Sequence, residues 1–279
     1  MGRLRPASTM ALIVAVGTIA ALALSFTVAG QTPASRPAYR APRTTDGKPN
    51  LSGVYQSITE AYWDIEAHSA APGPVQELGA SFATAGGLGI TDGPLPYKPE
   101  ALAKKKDNYA NRIKLDPEIK CYLPGVPRAN YMPYPFQILQ SQSAIFFAYE
   151  YAGAVRNIYL KDPGPPPVDS WMGQSVGRWE GDTLVIEANG FNDSTWFDRA
   201  GNFHSEALKV VERYTRTGPD VISYEATMED PNTFTRPWKV SFPLYRRLEK
   251  NVQIMDFKCV EFVEELMYGQ WRKKPLTRE

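Results

Sequence analysis

The segment Asn192-Asp-Ser-Thr-Trp-Phe-Asp-Arg-Ala-Gly-Asn-Phe-His-Ser-Glu206 sets Asp193, Asp198, Arg199, His204 and Glu206 beside Trp196, Phe197 and Phe203, between two strand-like runs. An imidazole among carboxylates has the pKa range needed to move protons near neutrality. His204 is one of only two histidines in the chain. As a catalytic set, His204 would act as general base or acid, with Asp198 or Glu206 orienting it. The competing reading is structural: Asn192 and Asp193 form turns, Ser205 or Glu206 satisfies local backbone donors, and the aromatics plug the end of a fold.

Other reactive patterns are weaker. His68 and His204 stand in distant segments without His-x-x-x-His or Glu-x-x-His spacing, so no metal site is expected, and no aspartate series has the spacing of a calcium loop. Gly173-Gln-Ser-Val-Gly177 matches the letters of a nucleophile elbow with Ser175 at its centre. That elbow needs a helix after the strand, whereas Arg178-Trp-Glu-Gly-Asp182 leads into another strand. No phosphate-cradling glycine loop occurs, and no cofactor is expected.

Charged residues recur inside strand-like runs: Arg156, Arg178, Glu187, Glu212, Arg213 and Glu225. An inward Arg–Glu pair beside tyrosines would orient the polar end of a mainly apolar ligand. Facing outward, the same charges only solvate the surface. Trp171, Trp179, Trp196 and Trp238 offer stacking surfaces, although large aromatics usually belong to a core. Arg156, Trp171, Arg178, Trp196, Arg213 and Trp238 are the ligand-binding candidates.

These residues sit in a chain of 279 residues that is 43% hydrophobic and 22% charged, enough for one sizeable core. Arg3 and Arg5 precede an apolar run from Met10 to Val28 that ends in Ala29 and Gly30. This is the three-part form of a secretory signal with cleavage near Ala29 to Gln31, the rival being an uncleaved membrane anchor. Removing residues 1–30 leaves 29 basic against 30 acidic residues, which argues against nucleic acid or an acidic membrane surface as partner. Only two cysteines exist, Cys121 and Cys259. In an exported protein, periplasmic or secreted, such a pair is expected to form a disulfide.

Residues 31–50, rich in Pro, Ser, Thr and Arg, read as an extended lead-in. Residues 51–133 read as an irregular segment with a short strand at Leu51 to Ile58 and one helix near 99–112, opened by Pro99. From residue 134 to 279 the pattern predicts an antiparallel β domain with strands at 136–140, 144–151, 155–160, 174–179, 183–191, 207–216, 221–229, 239–248 and 252–261. Leu184, Ile186 and Ala188, like Ile222, Tyr224, Ala226 and Met228, fall on one face of their strands. The connections between strands read as mostly hairpin-like. The expected fold is mainly β, a lipocalin-like up-and-down barrel with a β-sandwich as alternative, and with Pro243 at a bulge or edge.

Several stretches carry a resemblance: Asp46-Gly-Lys-Pro-Asn-Leu-Ser-Gly-Val-Tyr55, Cys121-Tyr-Leu-Pro-Gly-Val-Pro-Arg128, Pro133-Tyr-Pro-Phe136, Gly177-Arg-Trp-Glu-Gly-Asp-Thr-Leu-Val185, Gly190-Phe-Asn-Asp-Ser-Thr-Trp196 and Asp230-Pro-Asn-Thr-Phe-Thr-Arg-Pro-Trp238. Over nearly the whole mature chain these resemble a large uncharacterised family of exported bacterial proteins. The resemblance implies export and fold and brings no reaction or catalytic residues. The functional expectation is therefore a binding protein for a small lipophilic or aromatic molecule in a barrel cavity. The alternative is a cofactor-free lyase, isomerase or hydrolase that uses His204 with Asp198 or Glu206.

Overall fold

A computed structural model describes residues 39–70, 86 and 91–271; the signal segment expected over residues 1–30 lies outside them. The described residues from Tyr39 onward form one compact unit, so the described part of the irregular 51–133 segment and the β domain are built together. Nine strands close into a barrel in sequence order, which excludes the sandwich. They are β1 (Gly53–Ser57), β2 (Phe136–Gln140), β3 (Ala144–Tyr149), β4 (Val155–Tyr159), β5 (Gln174–Glu180), β6 (Thr183–Asn189), β7 (Lys209–Gly218), β8 (Val221–Glu229) and β9 (Trp238–Arg246). Helix α1 (Pro99–Ala110) begins on its proline and is followed by the single turn α2 (Arg112–Leu115).

Closure works differently from the sequence expectation in two places. The ninth strand is the short β1, which pairs with both β2 and β9, and the expected strand over residues 252–261 is absent. A ring closed by β1 leaves no free edge for a further strand to pair with. The second departure lies between β4 and β5, which run parallel, with Ile158 opposite Ser175. A parallel pair needs a long return, and the proline-rich residues 160–173 supply it without a helix. Pro243 lies on the part of β9 that β1 does not cover, since β1 pairs only with Leu244, Tyr245 and Arg246.

The strand alternation fills the barrel. Leu184, Ile186, Ala188, Ile222, Tyr224, Ala226 and Met228 all point inward and are buried, together with Phe136, Ile138, Phe147, Ile158, Val210 and Val240. Because every neighbouring pair except β4–β5 is antiparallel, the described residues of 58–135 and residues 190–208 and 230–237 all emerge at one end. There they knit into a cap. Arg199 N–H donates to Tyr62 O, Lys98 N–H to Thr233 O, and the Tyr131 hydroxyl to Phe197 O. After β9 leaves the opposite end, the chain returns to the cap, where Cys259 is joined to Cys121 in a disulfide with the Cα atoms 5.7 Å apart. Among the described residues, no helix is long and apolar enough to cross a membrane.

Candidate functional site

The centre of the barrel is polar. On β7, period-two alternation that turns Val210 and Tyr214 inward also turns Glu212 inward, and its carboxylate is fully buried. Arg156 reaches it from β4, with Nη2 hydrogen-bonded to Glu212 Oε2 and Nε donating to Ser175 Oγ of β5 at 2.7 Å. Glu212 Oε1 accepts from the Tyr214 hydroxyl at 2.8 Å and the Tyr224 hydroxyl at 2.9 Å. Asn130 descends from the cap to complete the cluster. Its Nδ2 donates to Glu212 Oε1 at 2.9 Å and to Tyr214 at 2.9 Å, while its Oδ1 accepts from the Tyr149 hydroxyl at 3.0 Å.

Electrostatics hold Arg156, Tyr214 and Tyr224 protonated. Burial opposes the charge of Arg156, but the adjacent Glu212 more than offsets this and raises its pKa. Burial, reinforced by Glu212, drives the hydroxyls of Tyr214 and Tyr224 well above the ordinary phenol range, so they remain donors. Arg156 Nη1 is buried and makes no hydrogen bond of normal geometry; the guanidinium's remaining neighbours are the Tyr149 hydroxyl and the Phe147 ring, whose centroid is 6.0 Å away.

The other sequence candidates scatter. Arg178 and Arg213 point away from the lumen, pairing with Glu187 and Glu180 on the outer face, because each follows an inward residue by one position. Trp171 packs against Tyr122, Trp196 against Ala101 and Phe203, and Trp238 between Phe197 and Phe234. Trp238 Nε1, like Arg156 Nη1, has no hydrogen-bond partner. Arg156 alone of the six stands in the central cluster.

His204 is buried against the rings of Phe191 and Phe197. Its Nδ1 is 2.8 Å from Ser205 O, an acceptor only, so Nδ1 carries the proton and Nε2 accepts from the Thr195 hydroxyl at 2.6 Å. Burial lowers its pKa, which keeps the ring neutral. Asp198 makes its hydrogen bonds elsewhere: its two oxygens accept from the N–H groups of Ile65, Ala200 and Asn202 and from Asn202 Nδ2. Burial, reinforced by the nearby Asp64 and opposed by these donors, leaves its carboxyl raised to about 7. Glu206 is exposed. The three proposed acid–base residues thus occupy separate environments within one loop.

A second buried ion cluster fastens the cap. Arg128 pairs with Glu118 at 2.6 Å and Asp116 at 3.5 Å, and Arg199 binds both oxygens of Glu118 at 2.7 and 2.8 Å. Burial raises the Asp116 carboxyl to about 6, with Arg128 opposing. The folded protein therefore binds this proton up to a higher pH than the unfolded chain, and the group's contribution to stability falls as pH rises from about 4 to about 6. The expected difference between wild type and Asp116→Asn, followed by urea unfolding, changes by on the order of 2 kcal/mol across that range. A pH-independent difference would refute the assignment.

Among the described residues, no group of three or more His, Cys, Asp or Glu side chains could hold a metal ion. Nothing in the spacing of Asn130, Tyr149, Glu212, Tyr214 and Tyr224 announced a shared site. The one available signal was Glu212 on the same strand face as Val210 and Tyr214. Compared with known proteins, the chain matches no family model and no curated relative.

Proposed function

We propose that this is an exported binding protein for a small, mainly apolar molecule whose hydrogen-bond-accepting end meets Arg156 inside the barrel. The observation that carries the reading is the unpartnered Nη1 donor of Arg156, buried beside Glu212 and three tyrosines. Replacing a buried ion pair by packed apolar groups is often neutral or stabilising, so stability alone gives no reason for this pair. Since Arg156 and Glu212 neutralise each other, the free donor suits a neutral carbonyl, ether or hydroxyl rather than an anion. The buried side chains packed around the pair limit the ligand to a small one. Export is supported by the N-terminal pattern and by the disulfide.

The acid–base alternative draws less support, because both nitrogens of His204 are engaged and neither Asp198 nor Glu206 is hydrogen-bonded to it among the described residues. The test compares the mature wild type with the double variant Arg156→Met/Glu212→Leu by native mass spectrometry. The wild type is expected to carry one small molecule per chain and the folded double variant none. An empty wild type, or equal loading of both, would overturn the binding reading. Turnover of the bound compound by wild type but not by His204→Ala would establish the enzyme instead.

A further inference from the structure

The chain after β9 has no regular structure from Arg247 to Phe262, yet it crosses from one end of the barrel to the cap at the other. Few contacts hold it there. Met255 N–H donates to Glu150 Oε2 at 3.0 Å, and Phe262 N–H donates to Ile119 O at 2.8 Å. Phe257 seats its ring 5.0 Å from both Tyr134 and Tyr151. The covalent fastening is the bond between Cys259, which is exposed, and Cys121, which is half-buried and held at a positive φ of 60°.

What lies under this strap leads inward. The Tyr151 hydroxyl donates to Glu118 O at 3.3 Å and sits against the Glu118–Arg128 pair. Two residues beyond Arg128, Asn130 enters the barrel and binds Glu212. We propose that the C-terminal strap is a thiol-responsive latch on the cap: a dithiol, free or carried by another exported protein, reduces Cys121–Cys259 and releases residues 248–262 while the barrel stays folded.

The exchange balances. A thiolate of the dithiol attacks Sγ of exposed Cys259, the protein S–S bond breaks, and Cys121 leaves as a thiolate that takes up a proton. The second thiol of the dithiol displaces the mixed disulfide, leaving two protein thiols and one oxidised dithiol, a two-electron transfer. The barrel has reason to survive, because every strand pairing is complete without residues beyond Arg246. The strap's exposed apolar residues, Met255, Val260 and Phe262 among them, contribute little burial to lose. That the latch governs entry to the Arg156 centre rests on the binding reading above; the release itself does not.

The test is hydrogen exchange on the full chain before and after dithiothreitol, with thiol labelling to count reduced cysteines. Exchange over residues 248–262 and 116–123 is expected to rise by on the order of tenfold or more, with β5 to β9 unchanged. Three outcomes would overturn the latch: a disulfide that resists reduction in the folded protein, a strap still protected once reduced, or a barrel that exchanges along with it. Phe257→Ala with the disulfide intact is expected to leave residues 116–123 near the wild-type rate. Full opening in that variant would assign the hold to ring packing and also overturn the proposal. Because the readout is exchange, its failure is distinguishable from the absence of a ligand.

Discussion

Glu212→Ala is expected to destabilise the protein by about 3–5 kcal/mol, the cost of leaving a buried charge without its partner. Arg156 would lose its only carboxylate partner in the cluster while keeping its hydrogen bond to Ser175, and the buried hydroxyls of Tyr214 and Tyr224 and the Asn130 amide would each lose an acceptor. Urea unfolding measures the loss. The sharper comparison is with Arg156→Met/Glu212→Leu, which removes both charges and keeps apolar volume. That double variant is expected to recover most of the deficit of the single one. A double variant as unstable as Glu212→Ala would show that the tyrosines and Asn130, rather than the uncompensated guanidinium, set the cost. The same recovery keeps the double variant folded, which makes it usable as the binding-deficient control.

Asp198→Ala should be the other severe substitution, at about 3 kcal/mol or more. Four donors converge on this carboxylate from three residues, at 2.8, 2.9, 3.1 and 2.6 Å, and each would be left buried and unsatisfied at about 1–3 kcal/mol apiece before relaxation. Ile65 belongs to the segment after β1, whereas Ala200 and Asn202 belong to the β6–β7 loop, so the side chain ties two parts of the cap together. The damage is therefore expected to be local in character. Hydrogen-exchange protection at residues 60–66 and 198–204 should fall furthest, and Asn202, which also accepts from the Tyr97 hydroxyl at 3.0 Å, should loosen α1 through the adjoining residues. Loss of less than about 1 kcal/mol would mean that the neighbouring backbone finds water, and would return Asp198 to the pool of groups available for chemistry.

Much of the architecture was legible in residue order because it depends on local rules. Period-two alternation marked β2 to β9 to within a few residues, and Pro99 marked the start of α1. The Val252–Glu261 stretch alternates much as a strand does, and nothing local distinguishes it from one. It is not a strand because β1, a five-residue piece that ends at Ser57, far upstream of the start of β2 at Phe136, closes the ring. The parallel seating of β4 and β5 was hidden for a similar reason: residues 160–173 look like a loop in either arrangement, and only the register of the finished barrel decides the direction of return.

The candidate site divides along the same line. Its loop residues were conspicuous by type, and His204, Asp198 and Glu206 were grouped because they are neighbours in sequence. In space a turn of the loop sends His204 to Thr195, Asp198 to Ile65 and Glu206 to solvent. Arg156 and Glu212 are 56 positions apart, and they meet because inward parity on β4 and on β7 aims both at the barrel axis. Residue order by itself determined the β-rich class, the inward apolar faces and the two cysteines capable of one bridge, since each follows from side-chain type and a fixed local period. Which charges pair, which histidine nitrogen is engaged and which segment closes the barrel were decided only by the tertiary structure. Those outcomes depend on parity and register between strands distant in the chain, and no local period records them.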